Sequence, residues 1–471
     1  MSVRNVVPIP AGMEARALMI DDSDIANARR LIERHGRDLR FACERGWMIW
    51  DGTRWRSDEQ SIGVQSRAKE TALGIFDEIR DAADRDAKMR HAKRAQNKPS
   101  IEAMVHLARS ESGVACRLTD FDRDPWLFNV MNGTLHLREA GLSPAIRRPH
   151  TRDDLLTNLA PVEFDDSADC PLWERFVAQI VNDDERLYRY LQQLVGYLLV
   201  GDVSEQCIHF LYGIGANGKT VFCEVLLRLL GDYAITVSPD LVMQRRHAGI
   251  PNDIARLRGK RVAFMNETSQ GARFDEAKLK DLTGGDTLTG RFLHQEFFDF
   301  APTHRLVIRG NHKPVISGTD DGIWRRLRLI PFGVQIPPAE QDRQLTEKLF
   351  GELPGILNWA ILGCIAWRGG GLAPPEAVVE AVQSYREESD TLGRFVVECC
   401  EVRRLAQVKS SVLFARYQEF AHAAGERWMP AKDLPQEMIR RGFQWKRTRV
   451  GGLYEGLELA NPLRGSTGDG R

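Results

Sequence analysis

Apolar residues along the chain recur with three spacings, and each predicts a different element. Between Asp24 and Cys43 the helical period dominates (Ile25, Ala28, Leu31, Ile32, Leu39), predicting an amphipathic helix. Gly46 to Trp55 is a compact aromatic stretch that reads as a hairpin turning at Asp51-Gly52. Residues 64–110 carry a strongly charged helical pattern, and Phe128 to Leu137 form a second hairpin around Asn132-Gly133. From Pro171 to Leu199 the apolar positions predict a helical pair (Trp173, Phe176, Ile180; then Leu187, Tyr190, Leu191, Leu194, Leu198). Short unbroken apolar runs follow at Ile208 to Tyr212, Arg261 to Met265, Arg305 to Arg309 and Arg326 to Phe332. Each has the length of a buried strand. The first leads into an apolar-periodic helix closed by Gly231. The chain is helical again from 340 to about 385, broken by Gly369-Gly370-Gly371-Leu372-Ala373-Pro374-Pro375. Ser389 to Leu459 hold two or three short helices and a strand-like segment, Phe443 to Leu457, turning at Gly451-Gly452. Helix, helix and hairpin outline a winged-helix domain.

At 471 residues the chain has room for about two to four domains. The expected division is a flexible tail (1–20), an N-terminal α+β domain (21–165), a helical collar (166–200), an α/β core (201–345), a helical lid or linker (346–385) and a winged-helix-like domain (386–471). Acids and bases balance at 65 each, so any basic surface must be local. The eight cysteines form no C-x-x-C pair or Cys/His ligand set, which fits buried thiols in a reducing compartment. No run approaches the roughly 20 apolar residues of a membrane span, and the start lacks a signal peptide's apolar core. A cytoplasmic protein without a membrane partner is expected.

The sharpest chemistry sits at Gly213 to Thr220, Gly-Ile-Gly-Ala-Asn-Gly-Lys-Thr. It fits G-x-x-x-x-G-K-[ST] and lies between a predicted strand and a predicted helix. Gly213, Gly215 and Gly218 let the backbone wrap a triphosphate with its N–H groups inward, with Asn217 in the same loop. The helix adds the positive end of its dipole, Lys219 reaches the β- and γ-phosphates, and Thr220 offers a hydroxyl to Mg²⁺. ATP with Mg²⁺ is the expected cofactor set. In open α/β sheets functional side chains sit at the carboxyl ends of strands, and Glu267 and Asn311 fall there.

Other signals are weaker. Trp47, Trp50 and Trp55 could stack bases, but packing of a small strand pair is favoured. Lys88, Arg90, His91, Lys93, Arg94 and Lys98 could touch a phosphate backbone or form a solvated helix face. Asp120, Asp122 and Asp124 have a metal-like spacing, yet they precede Pro125-Trp126 and read better as an exposed loop. Arg440, Arg441, Lys446, Arg447 and Arg449 would face DNA if the terminal domain binds it. Winged helices also mediate protein contacts.

Five motifs occur in order: Gly213 to Thr220, the strand ending in Glu267, Lys278 to Asp286, Gly310-Asn311-His312-Lys313-Pro314, and Asp321-Gly322-Ile323-Trp324-Arg325-Arg326-Leu327. Together they resemble the superfamily-3 helicases. They are most similar to the phage/plasmid primase–helicase family related to the poxviral nucleoside triphosphatase–primase. Trp126 to Leu137, Ala168 to Trp173, Gly196-Tyr197 and the tail from Asp390 resemble that family too, so the likeness covers about residues 25 to 460.

The resemblance implies an AAA+-like core that assembles into a ring, usually a hexamer, and threads DNA. Lys219 and Thr220 would hold phosphate and Mg²⁺, Glu267 would polarise the attacking water and support the metal, and Asn311 would sense the γ-phosphate. Arg325 or Arg326, with Arg326 the first choice, would reach into the neighbouring subunit's site. Lys278 to Phe298 would carry a pore hairpin, with Arg291, His294 or Gln295 near its tip and Lys280 as a further DNA contact. Without the resemblance, a plain solvated hairpin would be preferred. One departure is Asn266, where many ring helicases have an acid before Glu267. The other is that only about 20 residues precede the shared region, so no primase activity is expected from this chain. A separate primase or host replication proteins would then be partners. The expectation is an ATP-driven helicase of a phage or plasmid origin, acting in bacterial or phage-infected cytoplasm. The alternative is a nucleotide-gated loader ring with little unwinding. A DNA-packaging ATPase lacks support.

Overall fold

The computed structural model describes residues 22–139, 141–244, 252–266, 271–292, 296–316, 321–426, 428–449 and 451–460. Its centre is a five-stranded parallel sheet built from β1 (Ile208–Tyr212), β2 (Ala234–Val237), β3 (Val262–Asn266), β4 (Arg305–Gly310) and β5 (Leu327–Pro331). The spatial order is β5-β1-β4-β3-β2. Both faces are covered, which is why the strands read as continuous apolar runs. Leu211, Phe264, Val307 and Ile330 pack toward α1 (Lys219–Leu230), whereas Phe210, Met265, Ile308 and Leu329 fill a second core on the opposite face. The four expected strands are present. Edge strand β2 was not anticipated, because four residues beside a glycine turn carry little periodicity.

The strand order positions the site. In register, Gly310 of β4 pairs with Tyr212 of β1, and Arg309 pairs with both Leu211 and Asn266. The ends of β1, β4 and β3 therefore lie side by side. At the other end of the sheet, the Ile208 N–H donates to the Arg326 carbonyl at 2.8 Å.

The collar helices Pro171–Ile180 and Glu185–Leu198 pack against the sheet together with Leu353–Gly370. Trp173 stacks on Phe222 of α1 at 5.4 Å and meets Trp359 edge-on at 5.6 Å. Two buried arginines bind this layer to the strands. Arg261 donates to the carbonyls of Pro125 (2.7 Å) and Leu127 (3.0 Å). Arg305 donates to those of Val200, Tyr197 and Thr303. The hairpin Leu127–Val130/Gly133–His136 shares its core with the collar, not with residues 28–114.

In the N-terminal region, the helix expected to reach Cys43 spans Asp24–His35, capped by the Ser23 side chain and ended at Gly36. Leu39–Ala42 is instead a strand paired antiparallel with Gly46–Trp50. Alternation of Leu39 and Phe41 with Arg40 wins over the helical period once a partner strand is available. The tryptophan hairpin forms as expected, with Trp50 opposite Trp55, and Trp47 and Trp55 are fully buried, a packing role. Half of the basic cluster is spent internally: Lys88 pairs with Asp22 (2.6 Å), buried His91 meets Asn27, and Arg94 donates to the Asp22 carbonyl. Asp120 and Asp124 accept from the N–H groups of Arg117 and Trp126, as turn-forming residues do, while Asp122 accepts from the N–H and hydroxyl of the distant Thr157.

The C-terminal region runs Thr391–Cys399, Cys400–Lys409, Ser410–Ala423, Leu434–Arg440, Gln444–Thr448 and Gly451–Leu459, around its own core of Phe395, Leu413, Tyr417, Met438 and Tyr454. This is the element order of a winged helix, with a first strand that the sequence pattern missed. The hairpin turns between Thr448 and Gly451, two residues earlier than expected, because Gly451 and Gly452 are paired strand positions, with the Trp445 ring over Gly452.

Two stability outcomes follow from this packing. Gly196 and Gly363 are the contact point of two helices, and a Cβ on Gly196 would overlap the backbone of Gly363 and Cys364. Gly196→Ala should lower urea-denaturation stability by about 1–3 kcal/mol or more. Burial pushes the imidazoles of His209 and His304 down to about 3 from 6.5. Because the folded-state value is the lower one, their contribution is complete above pH 6.5 and is lost as pH falls toward 3. Each should add a slope of about 1.4 kcal/mol per pH unit in that window, read from urea midpoints above and below pH 6.5. His304→Leu should remove one of the two slopes.

Candidate functional site

The loop between β1 and α1 has a shape only its own residues allow. A Cβ on Gly213 would overlap the Phe332 carbonyl and the Asn217 amide. Gly215 and Gly218 have φ of +51° and +80°, the left-handed region where glycine costs least. Gly218 also lies on Phe176 and Ile180 of the collar, which seats the loop. Asn217 is buried and donates to the Phe332 carbonyl at 3.0 Å, while the Ile336 N–H donates to the Ala216 carbonyl at 2.8 Å. The loop is thus clamped between the collar and the chain that follows β5.

Lys219 is 6 % exposed. Its ammonium donates to the Gly213 carbonyl (2.6 Å), Asn217 Oδ1 (3.0 Å) and Asn311 Oδ1 (3.1 Å). Asn311 Oδ1 also faces the Gly215 N–H at 3.4 Å. These oxygens are neutral, and a phosphate oxygen would form stronger charge-assisted bonds to the same ammonium. Thr220 is exposed at the start of α1, with its hydroxyl open to solvent. The structure therefore brings together Gly213, Gly215, Asn217, Gly218, Lys219 and Asn311, with Thr220 alongside. Glu267 and His294 lie outside the described residues.

Arg309 was missed. It is the last side chain of β4, two residues before Asn311, and its Nε donates to Asn266 Oδ1 at 2.7 Å. Its Nη1 is buried without a hydrogen-bond partner, and the guanidinium has no carboxylate partner among the described residues. A charged residue closing an apolar strand was the available signal. Cys223 lies near Arg309 and Lys219, yet burial pushes its thiol up to about 12, so it stays protonated.

Arg325 and Arg326 sit at the amino end of β5, whereas the loop sits at the carboxyl end of β1. Five strand residues separate the two levels, about 16 Å at ~3.3 Å each. Arg326 is half-buried and donates to the Gln206 carbonyl (3.3 Å) and the Thr283 hydroxyl (3.2 Å) of its own chain. Arg325 is exposed and has no side-chain partner among the described residues. It lines an open groove of about 420 Å³ with Trp324, Arg328, Val378 and Arg386, remote from the phosphate loop. Arg326 is thus engaged within its own chain, whereas Arg325 is exposed.

The nucleic-acid candidates divide the same way. Lys280 is half-buried on the helix Glu276–Thr283. Arg291 lies 4.7 Å over the ring of Phe297, beside the hairpin Leu288–Gly290/Phe298–Phe300. Phe297 is 57 % exposed and was not anticipated as a contact. Arg441 is corrected: it donates twice to Asp390 (2.7 and 2.7 Å) and once to Glu437, so it braces the terminal domain and does not face outward. Arg440 pairs with Glu437 and Lys446 with Glu455, both at the surface, while Arg447 and Arg449 are exposed on the wing. Among the described residues there is no group of three or more His, Cys, Asp or Glu able to hold a metal, and no helix long and apolar enough to cross a membrane.

Two family models match the chain: D5 N terminal like, over residues 28–182, and a family of unknown function, DUF5906, over 211–326. Three viral proteins are similar over parts of their length. "Putative helicase L207/L206" of Acanthamoeba polyphaga mimivirus is 28 % identical over 301 residues, 59 % of this chain and 31 % of that protein. "Putative helicase 022R" of Frog virus 3 is 30 % identical over 238 residues, 46 % and 24 % respectively. "Putative primase C962R" of African swine fever virus is 26 % identical over 215 residues, 44 % and 22 %. The chain thus spans less than a third of each of these relatives. The apo C-terminal region of NrS-1 (305–718) superimposes with a TM-score of 0.50 at 9 % identity, covering 92 % of this chain and 100 % of that one. That likeness concerns the fold alone.

The two glycine types in the loop should separate in a binding titration with a fluorescent ATP analogue. Gly213→Ala, which overlaps backbone, should abolish binding. Gly215→Ala, which has open space, should cost only the left-handed strain of about 1–2 kcal/mol, roughly tenfold.

Proposed function

We propose that this chain, a relative of the D5-type primase–helicases, is an ATP-driven DNA helicase that works as a ring, with each hydrolytic site completed by the next subunit. The observation that carries the reading is the convergence of Lys219, Asn311 and the Gly215 N–H on one point at the end of the sheet. The loop suits a triphosphate because the Gly215 N–H and the Lys219 ammonium face the same point, and the oxygens of Gly213, Asn217 and Asn311 beside that ammonium can give way to phosphate oxygens. In this reading Lys219 and the loop N–H groups bind the β- and γ-phosphates, and Asn311 orients the γ-phosphate or the attacking water. Thr220, with Glu267, would hold Mg²⁺, which supplies positive charge to the phosphates when bound. Arg309, which has no carboxylate partner among the described residues, adds charge on the α1 side of the same sheet end.

Arg325 cannot serve the loop of its own chain across the depth of the sheet, so it acts on a neighbour. An arginine at the transferring phosphoryl group is worth about 10³ to 10⁵ in rate. DNA is gripped by Arg291 and Phe297 of the hairpin, the ring stacking on a base, and by Arg447 and Arg449 of the wing. A phage or plasmid origin and a hexameric ring are parts of this proposal.

A second reading, a nucleotide-gated loader with weak unwinding, draws on one feature. Asn266 stands where an acid would support the metal, and Arg309 holds its carbonyl. Strand displacement on a forked duplex separates the two: hydrolysis without displacement favours the loader.

Lys219→Ala should lose nucleotide binding. Arg325→Ala should bind nucleotide normally and lose about 10³-fold in DNA-stimulated hydrolysis, whereas Arg326→Ala should chiefly lower stability. Mixing the Lys219 and Arg325 variants should restore part of the activity, since mixed interfaces contain intact sites. Turnover per subunit that does not depend on protein concentration, or no rescue on mixing, would count against the shared site. DNA affinity should fall linearly with salt on a log–log plot.

A further inference from the structure

The helix α2 (Glu376–Ser389) touches three parts of the site, and the functional reading above assigns it no role. Lys313, two residues past Asn311, places its ammonium over the rings of Tyr212 (4.9 Å) and Tyr385 (5.3 Å) and pairs with Glu388 at 2.7 Å. Tyr212 is the last residue of β1 before the phosphate loop. Tyr385 is 4 % exposed, donates its hydroxyl to the Pro314 carbonyl and meets Trp324 edge-on at 5.3 Å. Arg386 pairs with Asp321 at 2.5 Å. Asp321 and Trp324 form the helical turn that ends at Arg325.

Residues 385, 386 and 388 thus hold the segment after Asn311 and the turn before Arg325 against one rigid element. The same element runs into the C-terminal domain without a slack linker. Asp390 ends α2, caps the next helix by accepting from the Gly393 N–H at 2.9 Å, and takes the bidentate pair from Arg441. Arg441 follows the helix Leu434–Arg440, which precedes the wing. Contacts therefore run without a break from the terminal helices through Asp390 and α2 to the segments beside Asn311 and Arg325.

We propose that Lys313, Tyr385 and Glu388 are positioning residues. They set Asn311, which faces the nucleotide of the same subunit, against Arg325, which faces the neighbour's, and they couple that spacing to the C-terminal domain. This rests on the nucleotide-site reading given above. The contact is a cation between two aromatic faces with a carboxylate behind it, an arrangement that fixes direction as well as distance. A displacement of about 1 Å at reacting groups costs on the order of 100-fold in rate, so a small shift of α2 has leverage.

The test uses the full chain and measures ATP hydrolysis with DNA, binding of a fluorescent ATP analogue, and thermal melting. Glu388→Gln and Tyr385→Phe should lower kcat by about 10- to 100-fold with KM, nucleotide affinity and melting nearly unchanged. Lys313→Arg, which keeps a cation between the two rings, should retain most of the rate, whereas Lys313→Met should lose it to the extent that Glu388→Gln does. Hydrogen exchange supplies a readout independent of turnover. A non-hydrolysable nucleotide should alter protection in 391–459 of the unaltered chain and not in Glu388→Gln. Unchanged kcat in the variants, or the same exchange response in both proteins, overturns this inference while the nucleotide site stands. Absence of nucleotide binding by the unaltered chain overturns the site reading and this inference with it.

Discussion

Placing β4 between β1 and β3 is the constraint on which the rest of the molecule depends. Residues more than ninety positions apart reach hydrogen-bond distance only because Gly310 lies in register with Tyr212, one residue before the phosphate loop. The side chain that closes the loop, Asn311, is therefore supplied by a strand end and not by the loop. Rigid strands carry it there, so its position is set to within the precision of the sheet. The same parallel arrangement sends the start of β5 to the far side of the core. The length of the strands thus separates Asn311 and the loop from Arg325 and Arg326.

Arginine does much of the structural work. Arg261 and Arg305 are buried, form no ion pair among the described residues, and donate to backbone carbonyls of the collar and the second hairpin. A guanidinium presents five donors in a plane and is less strongly hydrated than an ammonium, so several carbonyl dipoles can offset its burial. Burial still pushes Arg261 down to about 10. These contacts join the collar to the strand starts just as Gly218 joins it to the phosphate loop. The collar therefore touches both ends of the sheet, and the loop cannot move independently of it.

Charge in the terminal domain follows the same rule: internal partners decide which arginines remain available. Arg441 is tied to Asp390 and Glu437, while Arg447 and Arg449 protrude from the wing. Because Arg441 and α2 share Asp390, the brace of the small domain is also its connection to the core.

Local signals made much of this legible. The phosphate loop, four of the five core strands, the collar pair, both hairpins and the helical stretches were readable because their spacing, glycines and apolar runs act over a few residues. The carboxyl end of a strand also singles out Asn311, whose side chain lies 3.1 Å from the Lys219 ammonium. Other features depended on partners distant in the chain. The helix from Asp24 stops early because a strand partner captures Leu39–Ala42, and β2 exists because β3 offers it a ladder. Arg326 and Arg441 are as basic in sequence as Arg325 and Arg447, and only the acceptors folded against them separate the two kinds. Residue type and periodicity determine what an element can be. Which charges stay free, and which remote ends meet, is decided by long-range pairing that single-sequence spacing does not encode.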